Sequence, residues 1–460
     1  MGDKLKVAVI GGGSGGYPAA IRAARLGAEV TLIEKDSLGG VCLNRGCIPT
    51  KALLQSGEIL KTIKDSGIFG IKCGDGKVDF RAVISRKNSV IQKLRQGVER
   101  LLSAKKISII KGTAMLIDPS TVQILETENK IKVDKIIIAT GSRPTKLNIN
   151  GFDGPDVLDS DKFLEMEDLP KSAVIIGGGA IGVEFGQIFN RMGVEVTILE
   201  LMENLVPETD KEIAQAFEKR IIEEGIKVFT KAEVKGITHG KALKTITFAV
   251  GEESKKCNAE RVIVTTGRRP DLSYLNVDTI GLAQENSTLI VNDHMETNVP
   301  GVYAVGDVVG GIMFAHVATA EGECAAKNAI GQESTISYKA IPSCIYTSPE
   351  VASVGLTEEQ AKVKFDIHVG RFPFYASGRA LVLNQTYGMV KIIAERKYGE
   401  VLGVHMIGPH ATDMIAEAVL GISMEMTVED LAHAVHPHPT LSEAVMEAAL
   451  SLSGGAINMP

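Results

Sequence analysis

Two stretches of the chain run through the same succession of apolar and polar positions. In KVAVIGGGSGGYPAAIRAARLGAEVTLIEKD, a short apolar run meets a glycine turn, an alanine-rich stretch with helical periodicity follows, and a second apolar run ends at Glu34. KSAVIIGGGAIGVEFGQIFNRMGVEVTILE repeats the succession and ends at Glu200, at the same distance from its first glycine. Each predicts strand, tight turn, amphipathic helix and strand, the opening of a parallel sheet. Two further apolar runs echo each other, DKIIIATGSRP with Gly141 and ERVIVTTGRRP with Gly267. Each predicts a buried strand that returns to the sheet of its unit and brings backbone near a ligand. Between Glu34 and the first of these runs fall the segment GGVCLNRGCIPTK and a long charged helix, predicted over Phe80 to Ala104.

The pattern changes towards the C-terminus. SPEVASVGLTEEQAK and YGMVKIIAERKYGEVLGVHMIG read as strands with hairpin turns, followed by helices over Asp413 to Met424 and Val428 to Ala434. Periodicity leaves open whether the apolar ATDMIAEAVLGISMEM is a dimer face or core. The predicted order is a first nucleotide unit over 1–145, a second over 146–275, a central stretch over 276–342 and a terminal piece over 343–460. At 460 residues the chain exceeds one hydrophobic core. No low-complexity linker divides it, so the parts are expected to pack together.

Composition removes several function classes. A net charge of -6 with mixed signs leaves no basic footprint for nucleic acid. No apolar run approaches the ~20 residues that cross a bilayer. MGDKLK passes straight into the strand-like VAVI, which leaves no room for a signal peptide, and Lys6 stands where a myristoylation signal after Gly2 needs Ser or Thr. A soluble protein of a reducing compartment, the cytoplasm, is expected. Of six cysteines only Cys42 and Cys47 are close, and no CxxC pair offers a zinc site, so no metal is expected. Cys73, Cys257, Cys324 and Cys344 read as ordinary core or surface thiols.

The glycines and acids narrow the chemistry. Gly11, Gly13 and Gly16, and again Gly177, Gly179 and Gly182, form GxGxxG between strand and helix. The first glycine permits the turn, the second admits a pyrophosphate to the backbone, and the third lets helix and strand pack closely. Glu34 and Glu200 stand where a carboxylate takes ribose hydroxyls. Two dinucleotides, or one dinucleotide and a flavin, should therefore bind. Glu200 would repel the extra phosphate of NADP, and only Leu201 and Met202 follow it, so NAD is favoured. Arg191, on the preceding helix, is expected to be solvated. Asp307, ending the strand-like TNVPGVYAVGD, suits a hydrogen bond to the sugar-alcohol chain of a flavin. The closely spaced Cys42 and Cys47 can close a small disulfide ring and reopen it, which in a reducing compartment favours catalysis over structure.

Together GGVCLNRGCIPTK, the two GxGxxG units, the ATG and GD segments and HPHPTLSE near the C-terminus resemble the pyridine-nucleotide disulfide oxidoreductases. The resemblance spans the chain, and within the family it points to members that oxidise dihydrolipoamide with NAD. It implies an α/β fold with two Rossmann-like dinucleotide-binding domains and a C-terminal α+β dimerisation domain. It also implies FAD at the first unit, NAD at the second, and a homodimer. Carried over by position, Cys42 exchanges with the dithiol and Cys47 faces the flavin. Lys51 lies near the reactive edge of the flavin and pairs with Glu184. His438 is the base, oriented by Glu443, while His436 is its neighbour. Gly141, Asp307 and Ala315 join the flavin site and Gly267 the nicotinamide site. The implied partner is the lipoyl domain of an acyltransferase component or of a glycine-cleavage carrier protein. Arg45 and Pro437 depart from residues common in the family and bear on which complex is served. A glutathione- or mercuric-type reductase, and a non-catalytic flavoprotein subunit, are the alternatives.

Overall fold

The computed structural model describes residues 4–74 and 76–459. Gly2, considered above as a modification site, lies outside them. The first sheet is fully parallel, with strand order Val302–Ala304, Lys135–Ile138, Lys6–Ile10, Glu29–Glu34, Ser108–Lys111. Val7, Ala8 and Val9 are inaccessible to solvent because helices cover one face and the three-stranded antiparallel sheet Ala114–Asp118, Thr121–Ile124, Lys130–Lys132 covers the other, which is why the strand reads as an unbroken apolar run. The helix Gly16–Arg25 turns Ala19, Ala20 and Ala23 inward. These small side chains let the helix Ala315–Ala329 come close, and a Cβ on its Gly322 would collide with the Gly15 carbonyl. The central stretch thus contributes both a strand to the first sheet and a helix against its glycine turn.

The second unit repeats the plan, in the order Lys227–Phe229, Glu195–Leu199, Ser172–Ile176, Arg261–Val264, Val157–Asp159. The two echoing Thr-Gly segments meet directly. Ser142–Pro144 pairs antiparallel with Arg268–Pro270, forming a two-stranded ladder between the units.

The C-terminal part is a five-stranded antiparallel sheet, ordered Ser343–Ile345, Glu350–Gly355, Val401–Gly408, Met389–Glu395, Ile367–Pro373. One expectation fails here. The second half of SPEVASVGLTEEQAK is the helix Glu358–Lys364, not strand. Thr357 accepts from the Gln360 N–H at 3.2 Å, and Gln360 accepts from the Thr357 N–H at 3.1 Å. This capping box, with Glu358 and Glu359 in the first turn, outweighs the strand pattern before it. The apolar helix Ala411–Ser423 packs Met414, Ile415, Ala418 and Ile422 into the core and leaves Leu420 exposed. One apolar core crosses all three parts, joining Leu53 and Leu54, Phe185 and Phe189, and Ile345 and Ile407.

A buried ionic cluster fastens the second unit to the C-terminal sheet. Lys391 Nζ donates to Asp210 at 2.8 Å, Glu212 at 3.0 Å and Glu358 at 2.7 Å, while Arg371 closes a fork on Glu212 at 2.8 Å. Burial opposes the charge on Asp210, but the hydrogen bonds from Lys391 and the Glu358 N–H, with the nearby positive charge, together outweigh it and hold the carboxyl below its ordinary range. Stability from this carboxylate is therefore full above the ordinary Asp range and is lost as pH falls through its lowered value. Lys391→Ala leaves Asp210 buried without its cation and should destabilise the protein by about 3–5 kcal/mol in denaturant unfolding. Loss of only a few tenths would show that the cluster contributes little.

Candidate active site

The cysteine segment is built against the first glycine turn. Gly39 and Gly40 take φ of 94° and 59°, and a Cβ on Gly40 would lie 2.5 Å from Gly13 Cα. Cys42 then sits in the short helix Gly40–Arg45, and Cys47 begins the helix Cys47–Asp65. Asn44, between them, donates through Nδ2 to the carbonyls of Leu38 at 3.0 Å and Gly40 at 2.8 Å. Its Oδ1 accepts from Arg95 Nη2 at 2.6 Å, so the charged helix braces the loop. Sequence reasoning passed over both residues, although an amide inside a two-cysteine turn is a capping signal. Arg45, the departure noted above, forms an ion pair with Asp36.

Both cysteines are thiols in the structure. The hydrogen bond from Cys42 lowers the Cys47 pKa to about 7, burial opposes it, and the cation of Lys51 one turn along helps. The same hydrogen bond, with burial added, drives Cys42 far upward. The reduced pair therefore holds one proton and one thiolate near neutral pH, the thiolate resting on Cys47.

Lys51 is fixed from the second unit. Its Nζ donates to both oxygens of Glu184, at 3.0 and 2.9 Å, and lies 4.3 Å from the centre of the Tyr346 ring. Glu184, 4% exposed, also accepts from the Tyr346 N–H at 2.9 Å. Three parts of the chain thus converge on one carboxylate. On the same helix Gln187 exchanges two hydrogen bonds with the Ser348 backbone, at 2.9 and 2.8 Å. Arg191 is not solvated as expected. Its side chain is 7% exposed, ion-paired with Glu58 and donating to the Ser348 carbonyl at 3.1 Å. Its acceptors lie on other elements, which the helical pattern alone does not reveal.

The two glycine turns share one internal brace. Glu34 accepts from the N–H groups of Gly12 and Asp36, both at 2.7 Å, and Glu200 from those of Gly178 at 2.5 Å and Met202 at 2.7 Å. A Cβ on Gly16 or Gly182 would strike the carbonyl of Gly11 or Gly177, so only glycine lets the helix sit so near the turn. In contrast, a Cβ on Gly179 would meet nothing within 4 Å, and one on Gly13 only Gly40 Cα at 3.6 Å. Each middle glycine faces room where a side chain would otherwise project, as a pyrophosphate requires. The residues fit a dinucleotide at each turn. Gly141 and Gly267, both at positive φ, follow the strands beside these turns. Asp307 accepts from the Ser142 hydroxyl, and Ala315 opens the helix that packs on the first turn.

His438 lies in the C-terminal part. Its Nδ1 is 2.9 Å from Glu443 Oε1, and Glu443 Oε2 accepts from the Thr440 N–H at 2.8 Å. The ring is 80% exposed, and among the described residues neither histidine of HPHP hydrogen-bonds to the cysteine segment. His436 is buried, with Nε2 2.8 Å from Glu417. One chain thus contains a carboxylate-oriented histidine and a thiol pair, each complete and separate. Among the described residues no cluster could hold a metal ion.

The sequence matches the family described as "Pyridine nucleotide-disulphide oxidoreductase" over residues 5–322 and its dimerisation domain over residues 341–449. It is 42% identical to a dihydrolipoyl dehydrogenase of Bacillus subtilis, over 99% of this chain and 100% of that one. It is 43% identical to a dihydrolipoyl dehydrogenase of Geobacillus stearothermophilus, over 98% of this chain and 97% of that one. The structure is similar to that of an HOCl-induced flavoprotein disulfide reductase from Escherichia coli, with a TM-score of 0.87 and 28% identity, covering 97% of this chain and 99% of that chain.

Because the Cys42 thiol is the main support of the Cys47 thiolate, Cys42→Ala should raise the Cys47 pKa from about 7 to or above the ordinary thiol value of ~8.5. Lys51→Met should raise it less. Thiolate ultraviolet absorbance against pH in the reduced variants reads both. A Cys42→Ala protein still titrating at about 7 would contradict the shared-proton account.

Proposed function

This chain belongs to the pyridine nucleotide-disulphide oxidoreductases, and we propose that it is a dihydrolipoyl dehydrogenase. It oxidises dihydrolipoamide to lipoamide through a Cys42–Cys47 disulfide, with FAD as bound cofactor and NAD as acceptor. The observation that carries the reading is the unequal thiol pair, whose thiolate on Cys47 stands beside a lysine fixed by Glu184.

Substrate thiols arrive protonated, so the exchange begins with a base. In the tautomer whose Nδ1–H donates to Glu443, His438 keeps Nε2 open to take a thiol proton. The substrate thiolate attacks the Cys42 sulfur, an S–S bond forms, and the Cys42–Cys47 bond breaks. Cys47 leaves as a thiolate, and its lowered pKa makes it the better leaving group. The second substrate thiol then displaces Cys42, which takes up a proton, and lipoamide departs. FAD, when bound, would supply the two-electron relay between the reduced cysteines and NAD that neither can provide alone. Gly11, Gly13, Gly16, Glu34, Lys51, Gly141, Asp307 and Ala315 would hold FAD. Gly177, Gly179, Gly182, Glu200 and Gly267 would hold NAD, with Glu184 anchoring Lys51 between the two sites. Leu201 and Met202 are exposed beyond Glu200, and Lys231, whose N–H donates to the Met202 carbonyl, is paired with Glu203 at 3.2 Å, so the Glu200 carboxylate supports NAD over NADP.

The dimerisation domain supports a homodimer. An exposed, oriented His438 supports the reading that it completes the site of the opposite subunit. The same reading divides the chain at 1–145, 146–275, 276–342 and 343–460. Its partner is the lipoyl domain of an acyltransferase component or of a glycine-cleavage carrier, in the cytoplasm. Among the described residues no helix is long and apolar enough to cross a membrane.

Cys47→Ser should abolish lipoamide turnover while NADH oxidation by artificial dyes survives; retained lipoamide turnover would sink the disulfide route. His438→Gln should slow the dithiol reaction by about 10²–10⁴-fold with little change in dye reduction. Equal slowing of both activities would contradict a base role.

A further inference from the structure

The ladder between the two Thr-Gly segments carries a side chain from one nucleotide unit into the other. By sequence Arg268 belongs to the second unit, directly after Gly267. Its Nε nevertheless donates to Ser142 Oγ at 2.9 Å and its Nη2 to the Ser142 carbonyl at 2.9 Å. Its Nη1 donates to Asp161 Oδ1 at 3.0 Å, which balances the charge. Ser142 is buried, and its hydroxyl, with one lone pair taken by the guanidinium, donates to Asp307 Oδ2. Asp307 Oδ1 has no side-chain hydrogen-bond partner in the protein among the described residues. On the other side of the same turn, the Gly306 N–H donates to Glu321 at 2.7 Å, and Tyr338 donates to that buried carboxylate at 2.8 Å.

This is a directed chain from guanidinium to hydroxyl to carboxylate. A hydroxyl that accepts from a cation is a stronger donor, and hydrogen bonds to charged groups exceed neutral ones. One oxygen of Asp307 is thereby fixed, and the other is left to receive a ligand hydroxyl. We propose that Arg268, a residue of the nicotinamide unit, is a positioning residue of the flavin site, acting through Ser142 to fix the Asp307 carboxylate that binds a hydroxyl of the FAD sugar-alcohol chain. The inference rests on the assignment of FAD to the first unit. It makes affinity for one cofactor depend on a residue of the domain that binds the other.

The test is the release of FAD from the holoenzyme, followed as the rise of flavin fluorescence on dilution, together with the KM for NAD. Ser142→Ala and Arg268→Met should each speed FAD release about tenfold, as loss of one charge-assisted hydrogen bond implies. The double variant should be no faster than Arg268→Met within about twofold, because both changes cut one chain. Arg268→Lys, which keeps the charge but loses the fork, should fall between. The KM for NAD should stay within about twofold throughout. Should Arg268→Met fail to fold, Ser142→Ala, which removes a single hydroxyl, carries the test. Unchanged FAD release in Ser142→Ala would overturn the inference. So would effects that multiply in the double variant, or a KM for NAD that rises in step with FAD release, as a merely loosened domain joint would give. Wild-type protein that takes up no FAD would remove the FAD assignment and this inference with it. Wild-type retention with unaltered variants would overturn this inference alone.

Discussion

A single buried carboxylate, Glu184, sets the position of the groups around it. It receives Lys51 from the first unit and the Tyr346 N–H from the C-terminal part while sitting on a helix of the second. A charge removed from water is costly unless its lone pairs are met, and here three donor bonds meet them. The lysine that results is held one helical turn from Cys47, where its charge favours the thiolate. If the three parts moved independently, this arrangement would be lost. Gln187 and Arg191 on the same helix reinforce it by bonding to Glu58 and Ser348. Domain packing is thus a condition of the thiol chemistry.

The two cysteines are unequal for a reason of position. Cys47 opens a helix and faces Lys51, whereas Cys42 sits in the preceding short helix and supplies the hydrogen bond. Thiol exchange needs one sulfur to be attacked and another to leave, and a lowered pKa makes Cys47 the better leaving thiolate of the two. The carboxylate-oriented histidine belongs to a different region altogether. His438 and Glu443 form a finished pair on an exposed surface, apart from the thiols.

Both nucleotide units solve the same local problem alike. The turn after the first strand leaves backbone N–H groups unpaired, and the acid ending the second strand accepts one of them along with the N–H two residues beyond itself. Glu34 and Glu200 therefore shape the turn. The spacing from first glycine to acid is equal in the two units because the same helix-and-strand path separates them.

Sequence alone determined the local units: strand, glycine turn, helix and acid, the cysteine pair, and the carboxylate five residues after His438. These rest on short-range sterics and periodicity, which the order of residues encodes directly. It also contained a signal that the strand pattern obscured, the Thr357–Gln360 capping box. Only the tertiary structure decided that Arg191 is buried, that Asn44 is braced by Arg95, and that Arg268 reaches Ser142 and through it Asp307. The bonds of Arg191 to Glu58, of Arg268 to Ser142 and of Lys391 to Asp210 each span more than a hundred residues. No local period records such a pairing, because the partners lie on different elements that meet only in the folded chain.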